Sequence, residues 1–250
     1  MLAAHALVIA AIAVAGAGVV TGLTGFGFAL VSVPLLLTVM GPSSVVTTVL
    51  LIGWLTSTVN ALTARRHVER RLLSMLLPSA TLGMIAGGYA LRWLDAPVLK
   101  LIAASLVIGF TLLLALYRRP PGRPGRAGEA LVGGASGVLT TSVGLSGPPV
   151  VLLMSAALPD KHRSRATLAA YFAITSPLGL ATLLLQGNAP LDAWTAAALL
   201  APIALLGRFL GSRLHRRTPP GMFRLVTLGI TLAAGVGGMA SALTSLLGRA

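Results

Sequence analysis

Gly18-Val19-Val20-Thr21-Gly22-Leu23-Thr24-Gly25-Phe26-Gly27-Phe28-Ala29-Leu30 lies inside an apolar run that extends over residues 5–40. A single helix of that length would reach roughly 54 Å at about 1.5 Å per residue, far beyond a bilayer core of about 30 Å. The glycines near the middle are where the run breaks. Glycine weakens a helix interior and allows backbone turns that other residues resist. The motif returns, altered, as Gly137-Val138-Leu139-Thr140-Thr141-Ser142-Val143-Gly144-Leu145-Ser146-Gly147-Pro148-Pro149. In one register Gly18 falls on Gly137, Thr21 on Thr140 and Gly25 on Gly144. A glycine-broken apolar segment repeated in two halves of a membrane chain points to a transporter's binding site.

The halves match further along. The same register sets Thr56-Ser57 on Thr175-Ser176. After a small change of register, Pro78 meets Pro202, Gly83 meets Gly207, Gly87 meets Gly211 and Lys100 meets Arg224. A loop of different length produces such a change. The seam is the run Arg118-Arg119-Pro120-Pro121-Gly122-Arg123-Pro124-Gly125-Arg126, which cannot continue a helix. The sequence therefore divides into a first membrane repeat at 1–117, a cytoplasmic Pro/Gly/Arg linker at 118–128 and a second membrane repeat at 129–250.

Composition sets the class. The 250 residues are 56% hydrophobic and 10% charged, with a mean hydropathy of +0.91. No water-soluble domain of this size hides so much apolar surface behind so few charges. A net charge of +14 suits nucleic acid at first sight. The arginines, however, sit in short loops between apolar runs, as the positive-inside rule requires. Nucleic acid is excluded as a partner, and the lipid bilayer takes its place. There are no cysteines, so disulfide and thiolate chemistry are excluded. The first apolar run has no basic stretch before it, so no cleaved signal peptide is expected. The Ala/Gly/Arg-rich composition suggests a bacterial inner membrane.

Charge also orients the chain. The basic loops are 65–71, 118–126, 161–165 and 213–224, whereas the loops 41–43 and 187–191 carry no basic residue. Eight alternating spans cannot place all four basic loops on one side. The conflict disappears if 5–40 and 129–158 are hairpins that each enter and leave by one face, the first from outside and the second from the cytoplasm. Spans at 44–63, 72–91 and 98–117 follow the first hairpin, and spans at 166–186, 192–212 and 222–247 follow the second. The expected fold is an all-α polytopic membrane protein. It contains two inverted repeats, each a glycine-rich broken-helix (re-entrant-like) hairpin plus three transmembrane helices.

The hairpin tips carry the candidate chemistry. Non-helical backbone survives in a membrane only where protein or a wet cavity satisfies it. Ser146-Gly147-Pro148-Pro149 reads as a helix start, with Ser146 as cap and Pro148 in the first turn. Helix N-termini attract anions through free N–H groups and partial positive charge. The candidate substrate-binding residues are Thr21, Thr24, Gly25, Phe26 and Gly27 on the first tip, and Thr141, Ser142, Gly144, Ser146, Gly147 and Pro148 on the second. Ser57, Asn60 and Ser176 join them from the following spans, with Thr56, Thr140 and Thr175 as further hydroxyls. Each hydroxyl has a plainer alternative, a bond to its own helix backbone. Gly83 and Gly87, like Gly207 and Gly211, read as helix-packing positions. Arg208 is either an attractant for an anion or a side chain reaching back to the cytoplasmic face.

Glu69, Asp95, Glu129, Asp160 and Asp192 all fall in loops or at span ends, so a proton or sodium relay built on buried carboxylates has no candidate. The histidines show no metal-ligand spacing, and no nucleophile–base set or phosphate-binding loop occurs. No catalytic residue, cofactor or metal is expected, and the chain is not read as an enzyme.

The paired motifs Gly22-Leu23-Thr24-Gly25-Phe26-Gly27, leading to Val33-Pro34-Leu35-Leu36, and Gly144-Leu145-Ser146-Gly147-Pro148-Pro149 resemble the sulfite exporter TauE/SafE family of membrane permeases. So does Pro202 with Gly207 and Gly211 before a basic loop. The resemblance implies transport of sulfite, of sulfonates such as sulfoacetate, or of related small anions. An inside-negative potential favours anion exit by about 2.3 kcal/mol per charge per 100 mV, which leans toward export. Uptake of another sulfur-containing anion and a non-transporting assembly subunit are the alternatives, and a homodimer is left open.

Overall fold

The computed structural model describes residues 4–116, 124–158, 160–215 and 220–247. Linker residues 118–123, together with Arg216 and Arg217, lie outside the described residues. Within them every regular element is helical: α1 (Ala4–Thr24), α2 (Phe28–Leu36), α3 (Pro42–Ala64), a 3-10 turn (Arg65–His67), α4 (Arg70–Trp93), α5 (Ala96–Leu116), α6 (Arg126–Ser142), α7 (Gly147–Ala157), α8 (Lys161–Leu185), α9 (Leu191–His215) and α10 (Pro220–Leu247).

Both long apolar segments break at the repeated motif. Gly25 (φ 84°), Gly27 (φ 99°) and Gly144 (φ 76°) adopt left-handed backbone, which side chains bearing a Cβ resist. The break leaves a long arm and a short one in each half: 21 and 9 residues for α1 and α2, 17 and 11 for α6 and α7. Among the described residues, six stretches are long and apolar enough to cross a membrane: His5–Thr24, Pro42–His67, Arg70–Trp93, Ala96–Leu116, His162–Leu185 and Leu191–Leu214. The described apolar stretches of α7 and α10 are shorter. The chain is a multi-pass membrane protein. By length α1 is a full span in itself, whereas α2 is far too short to cross a membrane. Apolar side chains such as Ile12, Leu82, Leu116 and Leu185 are exposed on the outer surface, which suits a lipid solvent.

The long arms cross into the opposite half. α1 packs along α9 and α6 along α4, at glycines that bring backbone onto backbone. A Cβ on Gly18 or Gly22 would collide with the carbonyl oxygens of Ala204 or Arg208, and one on Gly211 with that of Val19. At the equivalent crossing, a Cβ on Gly83, Gly87 or Gly137 would strike the carbonyl of Gly134, Val138 or Ala80. The packing role read for Gly83, Gly87, Gly207 and Gly211 is therefore observed, and Gly18, Gly22 and Gly137 share it. The opening motif thus splits in two. Its first part packs helices, and only Gly25–Gly27 forms the tip.

The two ends of the bundle differ. At one end the Glu69 N–H donates to Thr167 Oγ1 and Arg163 pairs with Glu69 at 2.6 Å, joining the 65–71 loop to the start of α8. At the other end Ser44 donates to Asp192 Oδ2 at 2.9 Å, Asn188 Nδ2 donates to the Gly88 carbonyl and Gln186 Nε2 to that of Ile85. One end therefore carries the basic loops 65–71 and 161–165, and the other the uncharged loops 41–43 and 187–191.

Candidate functional site

The tips meet around one cavity of about 60 Å³. That is room for roughly four or five waters, the scale of a small oxyanion. Thr21, Gly25, Phe26 and Gly27 line it from the first half, and Gly144, Ser146, Gly147 and Pro148 from the second. Ser57 of α3 and Ser176 of α8 complete the ten expected residues that converge there. Val49, Leu50, Gly53, Thr56, Phe28, Leu30, Leu145 and Phe172 supply most of the remaining wall. The wall is largely apolar, and among the described residues no charged side chain lines it.

Thr24, Thr141, Ser142 and Asn60 stand elsewhere. Thr24 Oγ1 accepts from the Phe26 N–H at 3.1 Å and donates to the Val20 carbonyl, so it shapes the first turn. Thr141 donates across to the Met84 carbonyl at 2.7 Å and ties α6 to α4. Ser142 donates to the Val138 carbonyl of its own helix. Thr21, Thr56, Thr140 and Thr175 likewise bond backward within their helices, the plainer of the two roles open to them. Ser57, Ser146 and Ser176 are the cavity hydroxyls with no protein hydrogen bond.

Ser146 does not cap α7 in the expected way. It occupies the N-cap position in right-handed helical backbone (φ −67°, ψ −21°), and its side chain bonds no helix N–H. Pro148 and Pro149 remove two of the amides that such a cap would serve. The Ser146 hydroxyl is thereby left at the cavity, and its carbonyl is held instead. Ser136 Oγ donates to that carbonyl at 2.7 Å, and buried Tyr171 donates to Ser136 Oγ at 2.9 Å. This relay fixes the second tip from α6 and α8. Sequence reading missed it, since nothing in the spacing of Ser136 and Tyr171 marks them as partners. At the first tip, Gly27 stands at the N-cap position of α2 and has no side chain to offer, so the first amides of α2 have no side-chain cap.

Gly25 lies against Arg165, whose Nε would be 2.8 Å from a Cβ at that position, while Gly147 faces Phe172. Those two side chains are two turns apart on α8, about 10 Å. Arg165 was counted in sequence only as one charge of a cytoplasmic loop. Its position as the last basic residue before the apolar run of α8 is the signal that could have singled it out.

A second, wider cavity of about 220 Å³ opens at the basic end, lined by Gly25, Asn60, Thr63, Ala64, His67, His162, Arg165 and Ala166. Asn60 belongs here. Arg208 Nη2 donates to Asn60 Oδ1, so Arg208 turns inward to α3. Gly25 is common to both cavities. Among the described residues no group of three or more histidines and carboxylates could hold a metal. Glu129 is buried in the first turn of α6, at a helix end as expected.

The sequence model of the family described as "Sulfite exporter TauE/SafE" matches residues 9–238. The chain belongs to this family. Among curated proteins, the "Probable inner membrane transporter protein TsaS" of Comamonas testosteroni is 28% identical over 180 residues, 68% of this chain and 72% of that protein. The "Probable sulfite/organosulfonate exporter TauE" of Cupriavidus necator is 24% identical over 185 residues, 72% of each chain. No solved structure gives a significant match. The TauE/SafE match spans both tips, both cavities and both glycine crossings.

Proposed function

We propose that this TauE/SafE chain is a secondary transporter of small sulfur-containing anions, sulfite or organosulfonates such as sulfoacetate, in a bacterial inner membrane. The observation that carries the reading is the convergence of both glycine-broken tips on one small cavity with three unpaired serine hydroxyls. Hydroxyls, the Gly147 amide and the uncapped start of α2 offer neutral donors to an oxyanion head. The phenylalanines and leucines around them suit the carbon part of an organosulfonate. With no fixed charge at the cavity, the anion is held without a strong ion pair and can leave again. The family description and the name of the Cupriavidus necator relative support the substrate class, the name of the Comamonas testosteroni relative supports the inner membrane, and the membrane potential supports export. The test is direct: liposomes holding the purified protein take up labelled sulfite or sulfoacetate faster than empty liposomes. Equal rates for every sulfur anion tried would refute the reading.

The proposed mechanism is alternating access, with the halves as inverted repeats rocking around the tips. Three features support it. Leu50 and Gly53 of α3 lie against Gly179 and Ser176 of α8, so these equivalent spans run antiparallel. The α1–α9 and α4–α6 crossings exchange the two halves in the same way. The basic loops 65–71 and 161–165 share one end. In this arrangement the basic end is cytoplasmic and α10 ends outside. A reporter fused after Ala250 is expected to be active only on the periplasmic face, and cytoplasmic activity would overturn the topology.

A further inference from the structure

The wider cavity at the basic end has a chemistry of its own. Among the described residues, every charged or titratable side chain that lines it is basic: Arg165, His67 and His162. Of the nearby carboxylates, Glu69 pairs with Arg163 at 2.6 Å, and Asp160 caps α8 by accepting the His162 N–H at 2.8 Å. Arg208 occupies Asn60 Oδ1, which sets the amide's orientation and leaves its Nδ2 donor without a protein partner. The basin therefore presents an amide donor and a guanidinium, with exposed imidazoles at its rim. A wall that donates and carries positive charge fits a ligand that only accepts, an oxyanion. The backbone of Gly25, with no Cβ, is wall to both cavities. Its bare backbone leaves the Arg165 guanidinium beside the boundary between the two.

We propose that this basin is a second oxyanion site, an outer station from which the anion crosses past Gly25 into the inner cavity. The proposal rests on the transport reading above and adds a two-station path to it. The outer station is wide enough for a hydrated ion and supplies the charge that the inner one lacks. An anion thus meets fixed positive charge first and is stripped of water second, which raises its local concentration before the costlier step.

The stations are separated by filling the inner one. In detergent-purified Gly147→Leu protein, the leucine occupies the inner cavity, and equilibrium binding of radiolabelled sulfite is measured with sulfate as competitor. Saturable binding is expected to persist. Adding Arg165→Gln is expected to weaken it roughly tenfold or more, the scale of a lost hydrogen bond to a charged group. If that double variant does not fold, His162→Glu at an exposed rim position replaces it and is expected to weaken binding as well. No saturable binding in Gly147→Leu, or affinity unchanged by the basin substitution, overturns the proposal. Flux through wild-type liposomes tests the transport reading separately, so either can fail alone.

Discussion

Gly147→Leu is expected to give a folded, membrane-inserted protein that moves no anion. Gly147 sits at the start of α7 with ordinary backbone dihedrals, and a Cβ placed there would be 3.9 Å from the Phe172 ring, in normal contact. Alanine therefore fits. Leucine adds three more carbons beyond that Cβ, and Gly147 lines the cavity of about 60 Å³ between the tips, into which they extend. A cavity that holds roughly four or five waters is filled by such a side chain. Flux of labelled sulfite or sulfoacetate should fall to that of empty liposomes, while Gly147→Ala should retain transport. The thermal midpoint should stay near wild type in both, because no helix crossing is touched. Unchanged flux in Gly147→Leu would remove the second tip from the substrate path.

Gly22→Leu is expected to fail earlier, at folding. Gly22 lies where α1 meets α9, and a Cβ there collides with the Arg208 carbonyl and comes within 2.8 Å of the Ser212 amide nitrogen. Backbone cannot move aside as a flexible side chain can. Overpacking costs about 1–3 kcal/mol where side chains can adjust, and this crossing lies beyond that range. The matched control is Gly16→Leu on the same helix, where a Cβ meets nothing within 4 Å. Size-exclusion profiles and melting curves in detergent should show a monodisperse Gly16→Leu protein and an aggregated or absent Gly22→Leu protein. A Gly22→Leu variant melting beside wild type would mean that the α1–α9 crossing is not close-packed.

These two glycines show how far the sequence could be read. Both belong to the same repeated motif, and periodicity alone gives them the same weight. Burying a backbone against a backbone and opening a backbone to a cavity both call for glycine, so residue type cannot separate the roles. The breaks near Gly25–Gly27 and Gly144–Gly147 were legible because an apolar run longer than a bilayer must turn somewhere. The hydroxyls were not. A threonine within a helix can bond backward to its own carbonyl, and Thr21, Thr56, Thr140 and Thr175 do so. Only Ser57, Ser146 and Ser176 keep their hydroxyls free at the cavity. The Ser146 cap failed as an expectation because the two following prolines withdraw the amides a cap would bind. Arg165 was hidden by the charge count that oriented the loops: a residue that balances a topology is not thereby confined to the surface. Asn60 was placed with the cavity residues by type, and its Oδ1 instead accepts from Arg208 at the basic end.

The exchange of long arms between halves has a consequence for synthesis. A ribosome delivers α1 to the membrane before most of the chain exists, yet its glycine face fits α9, which begins only at Leu191. Until then that face must rest against lipid or against the insertion machinery. α6 is luckier, since α4 precedes it. The first half thus waits for the second, and truncation anywhere before α9 leaves a nascent chain in which the glycine face of the earliest helix lacks the helix it fits, with only α2 beside it.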